Sequence, residues 1–326
     1  MSGERFAFAD AQRSISLLMN RRELTKLLGT GLLASAITPR TALAAAPPQV
    51  AITMDDFNLL GADAPTAQKR NDAILSALRA HSVKAAIFVA GKCIDSPLGQ
   101  RLLKQWNDDG HIIANHTYSH RNYADSDFTQ YKADVLRCEV LIKDYPQFRR
   151  LFRFPYLKEG NTAEQRDRMR TFLADRRYKN GAVTIDASDW YIDDRLRKRL
   201  GTDSGADTTG YRDYYLQHIR DRSNYYNDLS RRALGRSVRH TLLVHHNVLN
   251  ELYLGDILDQ YKRQGWEPID AEHAYADPVF NEMPNILPAG NSLVLALAVE
   301  KGKVTGQRSP GESGDYEAPN MDRLGL

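Results

Sequence analysis

The chain has 326 residues, 42% of them hydrophobic and 26% charged, with 21 glycines and 13 prolines. These ordinary globular values exclude a collagen-like, low-complexity or wholly disordered chain, and no apolar run of about 18 residues marks a transmembrane helix. The formal net charge is only +3, and two cysteines, Cys93 and Cys138, are too few for a disulfide scaffold or a cysteine zinc site; the chemistry must rest on oxygen and nitrogen groups.

Residues 1–46 read as an address. Arg21 and Arg22 precede a weakly apolar run over residues 27–38, and residues 41–46 (TALAAA) offer the small-residue pattern that signal peptidases cut. That layout is a removable export signal, and the paired arginines resemble the twin-arginine kind. The region before them is long for such a signal, which points to Met19 as the translation start. Residues 1–44 hold six of the 44 basic and three of the 41 acidic side chains, leaving 38 of each. A neutral mature balance carries no electrostatic footprint for nucleic acid. The expectation is an exported bacterial protein, periplasmic or secreted, with no membrane span once the signal is removed.

Residues 48–56 (PQVAITMDD) form a short apolar strand ending in two carboxylates. A helix is expected over 64–81, a buried strand over 84–91, a helix over 97–110 closed by Gly110, and a strand over 111–117. A helix over 127–145, a strand over 150–156, a charged helix over 164–177 and strands over 178–186 and 241–246 follow. Another helix closes at 260–265 before a last strand near 267–269. Apolar strands alternating with helices argue for a parallel sheet with helical crossovers, and about seven such units fit a barrel. Residues 192–239 read as a helical insertion holding Tyr211, Tyr214, Tyr215, Tyr225 and Tyr226, rings that pack on the barrel or wall a cleft. Residues 281–326 read as a C-terminal extension whose apolar stretch, 292–299, docks as one short element.

In a parallel barrel the strand C-termini build the active face. Here they deliver Asp55 and Asp56, His116 and His120, Arg153 and Tyr156, Asp186 and Asp189, and His245 and His246. The spacing of His116 and His120 places two imidazoles on one side of a helical turn. One added carboxylate makes a His₂Asp set, three ligands with an open position, as catalytic zinc requires. Successive strand residues face opposite ways, so Asp55 and Asp56 share a site only if the strand ends between them. His81, His111, His218, His240 and His273 read as structural, and Cys138 as a small buried hydrophobe at helical spacing with Val135 and Leu141.

Five segments carry a family resemblance: Thr53-Met54-Asp55-Asp56, His116-Thr117-Tyr118-Ser119-His120, Arg153-Phe154-Pro155-Tyr156, Asp186-Ala187-Ser188-Asp189-Trp190 and Leu242-Leu243-Val244-His245. In this order they resemble the five motifs of the NodB-type polysaccharide deacetylases, carbohydrate esterase family 4. The resemblance implies an α/β fold, a distorted (β/α)₇ barrel over residues 47–280, interrupted by the helical insertion and followed by the C-terminal extension. It implies that Asp56, His116 and His120 bind a divalent metal, zinc, while Asp55 is the general base and Arg153 holds it. The backbone N–H of Tyr156 would share the oxyanion, His245 would be the general acid with Asp189 as its charge partner, and Trp190 and Leu242 would pack beside it. The implied substrate is an acetylated carbohydrate. Two departures stand out. Phe57 replaces the usual glycine, which removes access to positive φ and places a ring at the rim, so a narrowed cleft is expected. His246, where Asp is frequent, competes with His245 as the acid, and Leu242 three residues earlier favours His245. An O-acetyl or small-amide hydrolase, or an inactive carbohydrate-binding barrel, are the alternatives.

Overall fold

A computed structural model describes residues 46–59, 62–305 and 314–326. The export signal expected over residues 1–46 therefore lies outside the described residues, except for Ala46.

The architecture follows from strands that are apolar on both faces. In β1 (Gln49–Asp56) Val50, Ile52 and Met54 join the main core under the helices, while Ala51 faces a second core with Ala86, Phe88, Ala114 and Leu151. Small side chains on that inner face let the sheet curl. β1 pairs in parallel with β2 (Ala86–Val89), which is followed by β3 (Ile112–Asn115) and β4 (Phe148–Phe152). β5 (Lys158–Gly160) leaves this sheet, and β6 (Lys179–Asn180) returns to pair with β4. β7 (Arg239–His245) takes the other edge of β1, and β8 (Glu267–Pro268) joins β1 at its start. A last strand, β9 (Ala289–Gly290), pairs antiparallel with β5. Five residues beyond β6, Ile185 bridges Leu242, and the Leu243 N–H donates to its carbonyl at 3.0 Å. Residues 179–185 thus reach from one sheet edge to the other and curl the seven-stranded parallel sheet into a distorted barrel.

Helices cover the outer face, several started by side-chain caps. Asp63 accepts from the Thr66 N–H ahead of helix Ala64–Ala80, and Asp127 accepts from Thr129 and Gln130 ahead of Phe128–Ile142. Residues 192–239 fall largely in two helices, Asp189–Thr202 and Thr209–Leu234. They bury Ile192, Leu196, Tyr211, Tyr215 and Tyr226 in the main core, so these three tyrosines are packing rings. The apolar stretch of the extension is helix Leu293–Glu300, with six buried residues. Cys93 and Cys138 are buried free thiols. No described helix is long and apolar enough to cross a membrane.

Candidate active site

β1 ends by breaking its own alternation. Asp56 has φ 77 and Phe57 φ 58, and the Phe57 N–H donates to the Asp55 carbonyl at 3.0 Å. This left-handed turn brings both carboxylates to one cavity of about 510 Å³ at the strand C-termini. Asp55 is buried, and its Oδ1 accepts from Arg153 Nη1 at 2.6 Å. The other Arg153 donors go to Thr53 Oγ1 (3.0 Å), the Tyr275 hydroxyl (2.9 Å) and the Gly181 carbonyl (2.7 Å). Its guanidinium also lies 3.8 Å over the Phe88 ring. A planar fork satisfied on every side has one orientation, so Asp55 has one too.

His116 follows β3, and its Nδ1 lies 2.8 Å from the Arg153 carbonyl. A carbonyl only accepts, so Nδ1 carries the proton and Nε2 is left bare for a ligand. Asp56 Oδ1 lies 3.1 Å from His120 Nε2 and 3.6 Å from His116 Nε2. The three ligand atoms are within 4.8 Å of one another, the one set of this kind among the described residues. Asp56 Oδ1 is buried and has no hydrogen-bond partner, a costly state for a carboxylate oxygen that a cation would relieve. Two imidazoles and a carboxylate suit zinc or a similar divalent ion. Burial pushes the Asp56 carboxyl up, but His120, His245 and His116 outweigh it and hold it below its ordinary value. Burial also lowers His120 to about 4. Donors deprotonated at neutral pH are what a metal needs.

The His116–His120 spacing is not a helical turn, as its periodicity suggested. The segment is a loop in which Thr117 and His120 take φ 63 and 58. It is held by Asn115 Oδ1 on the Thr117 N–H (2.9 Å) and Asp134 Oδ2 on the Ser119 N–H (2.9 Å).

Across the cavity His245 Nδ1 lies 2.8 Å from Asp189 Oδ1. Asp189 is fully buried, and its Oδ2 accepts from the His245 N–H (2.8 Å), Asn247 Nδ2 (3.0 Å) and Asn250 Nδ2 (3.1 Å). Burial alone would depress His245, yet Asp189, with Asp56 and Asp55 behind it, raises it to about 10. Burial lowers His246 to about 3, and its ring faces the core, 4.7 Å from Phe57 and 6.2 Å from Trp106. Of the two histidines, only His245 lines the cavity.

Two expectations are corrected. Leu242 does not pack beside the site: strand alternation turns it into the main core, and Leu243, on the face of His245, lines the cavity. Phe57 does not narrow the rim. It accepts positive φ and is fully buried, edge-on to Trp106 at 6.2 Å. Burying a phenyl ring is worth about 1.5–3 kcal/mol, enough to offset a left-handed conformation costing about 1–3 kcal/mol. Trp190 and Tyr156 do stand at the cavity, 39% and 58% exposed. Tyr156 takes φ 57, and its ring lies 4.7 Å from that of His120. The turn is propped by the extension: the Asn291 N–H donates to the Leu157 carbonyl at 3.0 Å, and a Cβ on Gly290 would collide with that carbonyl.

Sequence reasoning missed Tyr275, Asn247 and Asn250 as supports. Asn247 had a local signal, because it caps helix Val248–Arg263 by accepting from the Asn250 N–H. Tyr275 had none.

Residues 43–171 match the polysaccharide deacetylase family. Over that stretch the chain is similar to the NodB-type polysaccharide deacetylases. A curated relative, the peptidoglycan-N-acetylglucosamine deacetylase of Bacillus cereus, is 33% identical over 94 residues, 29% of this chain and 30% of that protein. The chain thus matches under a third of that relative's length. Similar solved structures include the peptidoglycan deacetylase PdaC of Bacillus subtilis, at 17% identity over 70% of this chain and 90% of that one (TM-score 0.45). The family 4 carbohydrate esterase of Streptomyces lividans in complex with acetate is 21% identical, over 71% and 97% of the two chains (TM-score 0.46). A family 4 pseudoenzyme of Bacillus anthracis is 17% identical, over 70% and 65% (TM-score 0.48). Asp55, Asp56, His116, His120, Arg153 and Tyr156 fall inside the matched residues, and Asp189, Trp190 and His245 lie beyond them.

Proposed function

We propose that the protein is an exported, metal-dependent deacetylase that hydrolyses N-acetyl groups on amino-sugar polymers or oligomers. The observation that carries this reading is that Asp55 and His245, with Asp189 buried behind His245, lie around one cavity that also holds the His₂Asp donor set. Asp56, His116 and His120 would hold a divalent ion, zinc by its donors, which when bound polarises the acetyl carbonyl and acidifies water. Asp55, oriented by Arg153, takes the proton of the attacking water as its oxygen bonds the acetyl carbon. The Tyr156 backbone N–H is assigned to the oxygen on which negative charge develops. His245, kept protonated by Asp189, donates to the nitrogen as the C–N bond breaks, which releases acetate and a free amine. The exposed rings of Trp190 and Tyr156 offer faces for a sugar.

An O-acetyl esterase or a small-amide hydrolase drew its support from a cleft narrowed by Phe57, and that ring is buried elsewhere. Loss of any one member of the set would suffice for an inactive barrel, and the presence of all of them weighs against that reading. The deciding experiment measures acetate released from a panel of N- and O-acetylated glycans by the mature protein, before and after chelation. Chelator-sensitive release from N-acetylated amino-sugar oligomers is expected; release only from O-acetyl esters, or none, would overturn the proposal.

A further inference from the structure

Helix Thr209–Leu234 carries two buried polar side chains one turn apart, His218 and Arg222, each 7% exposed. Residues four apart share one helix face, and this face meets the loop that ends in Asp189. His218 Nε2 accepts the Ser188 N–H at 2.9 Å, and Arg222 Nε donates to the Asp186 carbonyl at 3.0 Å. The two contacts bracket Ala187 and stop one residue short of Asp189. We propose that His218 and Arg222 are positioning residues, a clamp that fixes the 186–188 backbone and so aims the Asp189 carboxylate at His245. This role rests on the reading of Asp189 and His245 given above.

Ser188 stands at the cap of helix Asp189–Thr202. Asp186 and Ser188 are buried, where a free backbone group would be costly. Because Nε2 accepts, the proton of neutral His218 sits on Nδ1, which lies 3.5 Å from Glu317 Oε1. Glu317 is buried too, and its Oε2 accepts from the Tyr214 hydroxyl at 2.6 Å. Burial pushes the Glu317 carboxyl up, but the hydrogen bonds of His218 and Tyr214, with the charges around it, together outweigh burial and hold it below its ordinary value. Arg222 is steadied by its Nη2 on the Tyr226 hydroxyl (3.0 Å), with its guanidinium 4.9 Å over the Tyr226 ring. Glu317 precedes the last helix, Ala318–Leu324, which buries Met321 and is tied down by Arg195 through Asp322 (2.7 Å) and the Leu326 terminus. The C-terminal segment thereby sets the tautomer of the histidine that grips the catalytic loop.

The test compares His218→Leu, which removes the acceptor, with His218→Gln, whose amide oxygen can still accept the Ser188 N–H. Two quantities are read: the split between kcat and KM on the N-acetylated oligomer turned over by the wild type, and hydrogen exchange at the His245 amide. That amide donates to Asp189 Oδ2 at 2.8 Å and reports directly where Asp189 points. In His218→Leu, kcat should fall on the order of 10- to 100-fold with KM little changed, the scale of a misaimed reactive group. The His245 amide should exchange faster relative to the β1 amides, and His218→Gln should restore both. A His218→Leu protein with wild-type kcat and wild-type His245 exchange, or a Gln variant as impaired as the Leu variant, overturns the clamp. If His218→Leu fails to fold, Arg222→Met, which removes the other contact of the clamp, takes its place and should show the same pattern; wild-type values there overturn the proposal. Exchange needs no turnover, so a wild type inactive on every glycan defeats the deacetylase reading while the His245 amide still decides the clamp.

Discussion

Asp189→Asn separates the proposed acid from the proposed base by pH. In the wild type, Asp189 Oδ2 accepts three hydrogen bonds and Oδ1 faces His245 Nδ1 alone. The oxygen of an asparagine at 189 will therefore stay on the three-donor side, which turns its NH₂ toward Nδ1. Imidazolium carries a proton on Nδ1 and would clash with that donor, whereas neutral imidazole with its proton on Nε2 would not. Loss of the negative charge acts in the same direction. Asp189 is the largest influence holding His245 up against burial, at about 10, and an opposite charge at this range moves a pKa by roughly 1–3 units. The acid works only when protonated, so activity falls as pH rises through the His245 pKa. The alkaline limb of kcat/KM should therefore move down by roughly 1–3 pH units in Asp189→Asn. The acidic limb, governed by groups on the Asp55 side, should move much less. Rate profiles of acetate release between about pH 5 and 11 give both limbs. Stability carries the same signature: the folded pKa lies above the ordinary 6.5, so the pair's contribution is full below that value and is lost as pH rises through about 10. The denaturation gap between wild type and variant should narrow across that window. An alkaline limb that stays in place or moves upward would refute either His245 as acid or Asp189 as its partner.

Three further outcomes are expected. His116→Ala or His120→Ala should lose both bound metal and activity, whereas Asp55→Asn should keep the metal and lose about 10²-fold or more in turnover; elemental analysis beside rate measurements distinguishes the two classes. Phe57→Gly should destabilise by about 1–4 kcal/mol in urea titrations, since losing a buried phenyl ring costs about 3–5 kcal/mol and relief of left-handed strain returns only about 1–2 kcal/mol; KM should hardly change, because the ring does not line the cleft. Replacing both Arg21 and Arg22 by lysine should leave precursor in the cytoplasm, as fractionation would reveal, and normal export of processed protein would exclude a twin-arginine signal.

What could be read from the sequence was whatever repeats locally. Strands apolar on both faces announce a parallel sheet, and polar residues at their C-terminal ends announce its working rim. Asp55, Arg153 and His245 therefore stood out, and all three line or reach one cavity. Periodicity failed where the backbone turns left-handed without glycine. Asp and His take positive φ more readily than most residues, but nothing in the types Phe57, Thr117 and Tyr156 marks them for it, so the His116–His120 loop passed for a helical turn and Phe57 for a rim residue. The two departures from the family pattern show the limit of weighing residues singly. Phe57 suggested a narrow cleft and His246 a rival acid, yet the two rings pack on each other at 4.7 Å in the core beneath the site. Beside a buried phenyl ring a carboxylate at 246 would be stripped of water, whereas burial holds the His246 imidazole neutral. The two residues are thus neighbours in one buried layer, with Trp106 beside them and Asn71 Oδ1 facing both Trp106 Nε1 (2.8 Å) and His246 Nε2 (3.4 Å), rather than two separate changes at the rim.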